Sequence, residues 1–297
     1  MELKRFDDIG RYHQRVAPFL LAYEAAHNLL LGICSTLLSR SDYYGATPYL
    51  ALVQDGDAVV AVAIRTPPHN LVLSLIPSEM LREPALALLA QDIFAVYGQL
   101  PGVLGPPAMS RIFAEEWQRL TGQSYRLSRR ERIYQLDAVH PVAGVPGVMR
   151  AATEADHNLL VRWIIAFNQE AFGGSDPTDP ERWVDHHALT SPTCGLFLWE
   201  DDEPVAMAGY GGPTPHGIRI GPVYTPPEHR RRGYASACVA ALSQHLLDSG
   251  RQFCFLFTDV SNPTSNHIYQ TIGYTPISDV DEYRFALSGS CMVQPDL

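Results

Sequence analysis

Hydrophobic and polar positions repeat along this chain at two places. Residues 49 to 63, YLALVQDGDAVVAVA, form an apolar run, an Asp-Gly turn and a second apolar run, the pattern of a β-hairpin. Residues 195 to 208, GLFLWEDDEPVAMA, repeat that layout. Each hairpin is followed by a turn containing Pro and His, TPPHN and TPHGI, and then by a third apolar stretch, LVLSLIP and IRIGPVYTP. The stretches EEWQRLTGQSYRLSRRERIYQL and HIYQTIGYTPISDVDEYRFAL close the two halves in the same way, with a helix, a glycine stop and strands. The pattern predicts two copies of one α/β (α+β) fold.

The Pro/Gly-rich connector AVHPVAGVPG, residues 138 to 147, separates the copies. The expected division is a first domain over 1–140, a linker over 141–147 and a second domain over 148–297. In the second copy the spacing predicts a helix over 153–171, the hairpin, a strand ending near Thr225, a helix over 233–248, a strand FCFLFTD, a helix over 263–272 and further strands. Residues 253–257 are apolar without alternation, as in a strand buried on both faces. The β-helix-β passage from Val223 to Phe255 implies a parallel pair joined by a crossover.

The composition is that of an ordinary globular protein, with 46% hydrophobic and 18% charged residues in 297. The most apolar stretch, APFLLAYEAAHNLLLGICSTLL, carries Glu24, His27 and Asn28 and is expected to be an amphipathic helix, not a membrane span. The start, MELKRFDDIG, lacks the apolar core of a signal peptide, and a cytoplasmic location is expected. Cys34, Cys194, Cys238, Cys254 and Cys291 have no CxxC spacing and are expected to be reduced thiols. A formal net charge of -10 argues against nonspecific nucleic-acid binding and favours cationic small molecules or amines.

Against that acidic background, PEHRRRGYASA sets Arg230, Arg231 and Arg232 together just before Gly233. Ala235, Val239, Leu242 and Leu246 form an apolar stripe beyond it, so the arginines occupy the turn from a strand into a helix. A helix start offers unpaired N–H groups and a positive dipole end, and glycine lets an anion approach closely, so the turn suits a phosphate or pyrophosphate. The first copy has IPSEMLREPALALL at the equivalent place, with two acids and no glycine. A second cluster is DVSNPTSNHIYQTIGY, where Asn262 and Pro263 are the expected N-cap and first helical residue and Gly273 the stop. Asn262, Asn266 and Tyr269 then share one helix face.

RRRGYA fits the pattern [Q/R]-x-x-G-x-[G/A] of the acyl-CoA pyrophosphate loop, and NPTSNHIYQTIGY is similar to the late motif of the same family; together they resemble the GNAT acetyltransferases. The resemblance implies two GNAT-like mixed β-sheet domains flanked by helices, the first degenerate and the second active. It implies acetyl-CoA as cosubstrate, held by the Val223, Tyr224 and Thr225 backbone, by Arg230, Arg231, Arg232, Gly233, Tyr234 and Ala235, and by Asn262 and Asn266. Tyr269 would face the thioester sulfur. The strand RIGPVYT lacks the glutamate many members use as general base. Candidates for that role are Glu170, Asp176, Asp179, His186, His187 and Glu228, with Glu228 the chosen one. His186 and His187 are adjacent and on a helix would point to different faces, so no metal is expected. The implied reaction is acetyl transfer to a primary amine on a small molecule or peptide, with neither nucleic acid nor membrane as partner, by a monomer or homodimer. The alternative is a non-catalytic acyl-CoA-binding or regulatory protein.

Overall fold

A computed structural model of the chain describes residues 1–174, 176–187 and 191–286. In chain order the elements are β1 (Glu2–Phe6), α1 (Ile9–Leu21), α2 (Asn28–Ser39), β2 (Tyr49–Asp55), β3 (Ala58–Arg65), β4 (Leu71–Leu73), α3 (Glu79–Tyr97), β5 (Gly102–Gly105), α4 (Pro107–Thr121) and β6 (Tyr125–Leu136). There follow β7 (Val148–Ala151), α5 (His157–Phe172), α6 (Pro180–His187), β8 (Gly195–Asp201), β9 (Glu203–Gly211), β10 (Gly217–Tyr224), α7 (Tyr234–Asp248), β11 (Phe253–Asp259), α8 (Pro263–Ile272) and β12 (Thr275–Phe285). This is a mixed α/β fold whose strands are flanked by helices.

The chain divides into two compact units. The first comprises Met1–Tyr23, Thr36–Glu131 and the chain from Asp279 onward; the second comprises Glu24–Ser35 and Arg132–Ser278. In the first unit β1, β2, β3 and β4 pair antiparallel in sequence, and β4 pairs parallel with β5. In the second, β7, β8, β9 and β10 pair antiparallel and β10 pairs parallel with β11. The order and directions are the same, as the repeated hairpins predict. Both hairpin turns sit where expected, with Gly56 and Asp202 at positive φ.

The units depart from a contiguous division at 141–147. The strand beside β5 in the first unit is the C-terminal part of β12, with Asp281–Arg284 antiparallel to Gly105–Gly102. Tyr283 and Phe285 enter the core that holds Trp117, Phe113 and Leu89. Glu282, on the opposite face, accepts hydrogen bonds from Arg129 at 2.6 Å and from Asn70 at 3.1 Å. In the second unit the strand beside β11 is the end of β6, where buried Tyr134 donates its hydroxyl to Asn266 Oδ1 at 2.9 Å. Each unit therefore completes its sheet with a strand from the other half of the sequence. Residues 138–147 contain neither helix nor strand.

The apolar stretch 17–38 is not one helix. α1 stops at Leu21 and α2 starts at Asn28, whose side chain donates to Ala25 O at 2.7 Å. The residues that break it are used elsewhere in the second unit. Glu24 accepts from the His216 N–H at 3.0 Å, and Arg219 donates to Asn28 Oδ1 at 3.4 Å. Among the described residues no helix is long and apolar enough to cross a membrane. Cys34, Cys194, Cys238 and Cys254 are buried and unbridged; Cys291 lies outside the described residues.

At the entry to α5, Thr153 and Asp156 form a capping box. The Arg150 guanidinium donates to both Asp156 oxygens, at 2.8 and 2.9 Å. Those bonds, helped by the Thr153 N–H and hydroxyl, pull the buried carboxyl from its ordinary 3.8 to about 2. A depressed carboxyl pKa stabilises the fold above its unfolded value, and that contribution is lost as pH falls toward the folded one. Asp156→Asn is expected to cost about 2 kcal/mol at about pH 7 in urea melts, with the gap narrowing at about pH 3.

Candidate active site

β10 and β11 pair over a short length. Gly217–Arg219 match Phe253–Phe255, and beyond that point β10 continues to Tyr224 beside β9 alone, through a bulge between Ile220 and Val223. Five residues of β10, Ile220–Tyr224, thus have no register partner in β11. An unpaired strand edge is ready to receive an extended ligand with amide groups. Just past it, Thr225 Oγ1 is buried with no hydrogen-bond partner among the described residues, an acceptor and donor that a bound group or water would satisfy.

The arginine run follows. A 3-10 turn, Pro227–His229, leads into it; Arg231 takes φ +62° and Gly233 φ +84° at the N-cap of α7. No side chain caps α7, whose first N–H groups, Tyr234 to Ser236, precede the first helical bond from Ala237 N to Gly233 O at 2.9 Å. A Cβ on Gly233 would lie 2.8 Å from Val145 Cγ2. The three arginines have different fates. Arg230 donates two bonds of 2.8 Å to the Glu170 carboxylate and one of 2.8 Å to Thr225 O, so its side chain braces the loop. The predicted phosphate contact of Arg230 would have to compete with that ion pair. Arg232 borders a cavity of about 420 Å3 that Asp201, Asp202 and Glu203 also line. Exposed Arg231, like exposed Arg232, makes no ion pair with another described residue.

α8 begins as expected, with Asn262 Oδ1 accepting from Ser265 N at 3.0 Å and Pro263 in the first turn. The remaining amide N–H groups of exposed Asn262 stay available to a ligand. Asn266 does not. Its amide donates to Asp259 O at 2.9 Å and Asn262 O at 2.6 Å, and its carbonyl accepts from Tyr134, so it ties β11, α8 and β6 together. A contact with the cosubstrate, as predicted for Asn266, would have to share or displace these bonds. Tyr269 packs edge-on to Tyr274, with ring centroids 6.0 Å apart, and shares a core border with Val223 of the unpaired β10 segment. Its hydroxyl has no hydrogen bond to another described residue, and burial pushes the phenol up to about 12.

A sequence model of the acetyltransferase (GNAT) family matches residues 159–274. Residues 159–274 are a GNAT acetyltransferase domain. The match spans the unpaired β10 segment, the glycine-opened turn and α8. Solved structures share the fold over nearly the whole chain. An acetyltransferase of the GNAT family from Colwellia psychrerythraea is 14% identical with a TM-score of 0.55, covering 96% of this chain and all of its own. A GCN5-related N-acetyltransferase from Sphaerobacter thermophilus is 18% identical with a TM-score of 0.60, covering 95% of each chain. A tandem GNAT protein from the clavulanic acid biosynthesis pathway is 13% identical with a TM-score of 0.56, covering 98% of this chain and all of its own. No curated protein matches the sequence.

Around this GNAT domain most candidate bases are already engaged. Glu170 holds Arg230, Asp176 accepts from Thr178 N at 2.8 Å, and Asp179 accepts from Glu181 N at 3.0 Å at the start of α6. Glu228 stands exposed in the 3-10 turn with no hydrogen bond or ion pair to another described residue. His187 is buried, donates Nδ1–H to Trp183 O at 2.8 Å, and is driven by desolvation down to about 4. Two features were missed in the sequence. The Glu170–Arg230 brace links residues sixty positions apart, beyond any local pattern. The short helix α6 has an N-cap Asp179 followed by Pro180, a start signal that was present.

Proposed function

We propose that this protein transfers an acetyl group from acetyl-CoA to a primary amine, using the site built on β10, the Arg230–Ala235 turn and α8. The observation that carries the reading is the divergence of β10 from β11, with an uncapped helix N-terminus one turn away. Backbone groups of Val223, Tyr224 and Thr225 meet the amides of the pantetheine arm, and Thr225 Oγ1 gains a partner. The N–H groups of Tyr234, Ala235 and Ser236, together with Arg231, hold the pyrophosphate, where the αL glycine permits the approach. Asn262 donates to the arm from the opposite side.

Acetyl-CoA supplies the activated acyl group, whose C–S bond breaks as a C–N bond to the amine forms. An alkyl amine of pKa about 10.4 is neutral in roughly one molecule in 2,500 at about pH 7, so delivering the neutral form addresses about 4 to 5 kcal/mol of the barrier. Glu228, unpartnered and next to the turn, takes that proton through water. Tyr269 donates a hydrogen bond to the sulfur as negative charge develops there. Full transfer of its proton to the thiolate is unfavourable. Burial widens the gap between the phenol at about 12 and a thiol at about 8.5 to roughly 5 kcal/mol.

We read the first unit as a degenerate copy without an acetyl-CoA site. α3 starts at Ser78 with Glu79 in its first turn and no glycine before it, and Glu79 pairs with Arg82 at 3.2 Å. An acid at that helix start repels the phosphate that the second unit attracts. The test of function is thiol release from acetyl-CoA across a panel of polyamines, amino acids, aminoglycosides and peptide N-termini. Release with at least one amine, with an acetylated product in the mass spectrum, is the expected result. Acetyl-CoA binding with no release from any amine would establish the non-catalytic alternative instead.

A further inference from the structure

We propose that His186, His187 and Cys194 form a site for a divalent metal ion of the zinc class, clasping the end of α6 to the start of β8. One ring nitrogen from each histidine and the Cys194 sulfur lie within 4.8 Å of one another. His186 Nε2 is 3.9 Å from Cys194 Sγ. Adjacent histidines are expected to diverge, yet at the last turn of α6 the two rings meet edge to face, with centroids 4.8 Å apart at 89°.

His187 is poised as a ligand. Its ring is stacked on Trp183 at 3.8 Å and is 92% buried, with 8% relative exposure. With Nδ1–H given to the Trp183 carbonyl, Nε2 keeps its lone pair and has no hydrogen-bond partner among the described residues. A backbone carbonyl on the second nitrogen is the usual way a ligating imidazole is oriented and made more basic. Nε2 faces the cluster: a Cβ built on Gly211 would lie 3.4 Å from His187 Nε2 and 3.8 Å from Cys194 Cβ. Gly211 leaves that space open.

Two imidazoles and a thiolate suit zinc or cobalt(II) and do not suit magnesium or calcium, which require oxygen donors. Tetrahedral zinc, about 2.3 Å from sulfur and 2.0–2.1 Å from nitrogen, spaces its ligand atoms about 3.3 to 3.6 Å apart, so the three atoms close on an ion with shifts of about 1 Å. Binding releases the Cys194 proton and leaves a fourth position for water.

The test is titration of chelator-treated full-length protein with Co2+. We expect one equivalent to bind, with a thiolate-to-cobalt charge-transfer band that Zn2+ abolishes by displacement. Cys194→Ser should lose the band. Because Cys194 is buried, the partly exposed His186→Gln serves as a second variant: about tenfold or greater weakening with unchanged circular dichroism supports the site. Absence of the band in the wild type, its survival in Cys194→Ser, or unchanged affinity in His186→Gln would each overturn it.

Discussion

Gly233→Asp is expected to abolish acetyl-CoA binding while the chain still folds. Gly233 sits at φ +84°, where a side chain costs about 1–2 kcal/mol. The new Cβ also meets Val145 Cγ2 at 2.8 Å and tilts the turn. Those costs are small against the roughly 5–15 kcal/mol of a folded domain, which here rests on a core of Val239, Leu242, Leu246, Phe197 and Tyr274 away from the turn. Binding suffers far more. A carboxylate placed at the helix N-terminus occupies the anion position and repels phosphate from the N–H groups of Tyr234 to Ser236. Calorimetric titration should show at least about 100-fold weaker binding, equivalent to about 2.7 kcal/mol, with a cooperative melt retained. A variant that folds and binds acetyl-CoA as the wild type does would remove the turn from the site.

Tyr269→Phe is expected to lower kcat by about 10²-fold, the loss typical of one donor to developing charge. The dissociation constant for acetyl-CoA should change less than about threefold, because the phenol makes no hydrogen bond to another described residue and its ring packing against Tyr274 survives in Phe. The pH profile separates this role from general-acid titration. With the phenol pushed up to about 12, Tyr269 stays protonated through the whole working range, so it adds no alkaline limb to kcat. Stopped-flow or steady-state thiol release reads both quantities. Unchanged kcat in Tyr269→Phe would assign the reaction's charge stabilisation to another group.

Much of this was legible in the sequence because it depends on short-range chemistry. Alternation and turn residues located both hairpins, and Asn262-Pro263 and Gly273 bounded α8 by capping rules that act within one turn. The apolar run 253–257 and the helix over 233–248 yielded the parallel β10–β11 pair. What was hidden depends on distant partners. The alternation of residues 275–285 defines a strand, and does not say that Asp281–Arg284 lie beside β5. The break between α1 and α2 follows from what Glu24 and Asn28 bind in the second unit, at His216 and Arg219. Arg230 and Asn266 carry the right residue types for ligand contact, yet both are engaged by groups their own segments do not reveal, Glu170 and Tyr134. The sequence motif located the loop, and side-chain competition decided which members remain free.

We propose that the second unit alone holds acetyl-CoA, at the turn containing Gly233. The direct measurement is the stoichiometry of acetyl-CoA binding to the full chain by calorimetric titration, repeated with Gly233→Asp. One molecule per chain is expected in the wild type and none in the variant. Two molecules per chain, or one that persists in Gly233→Asp, would contradict it.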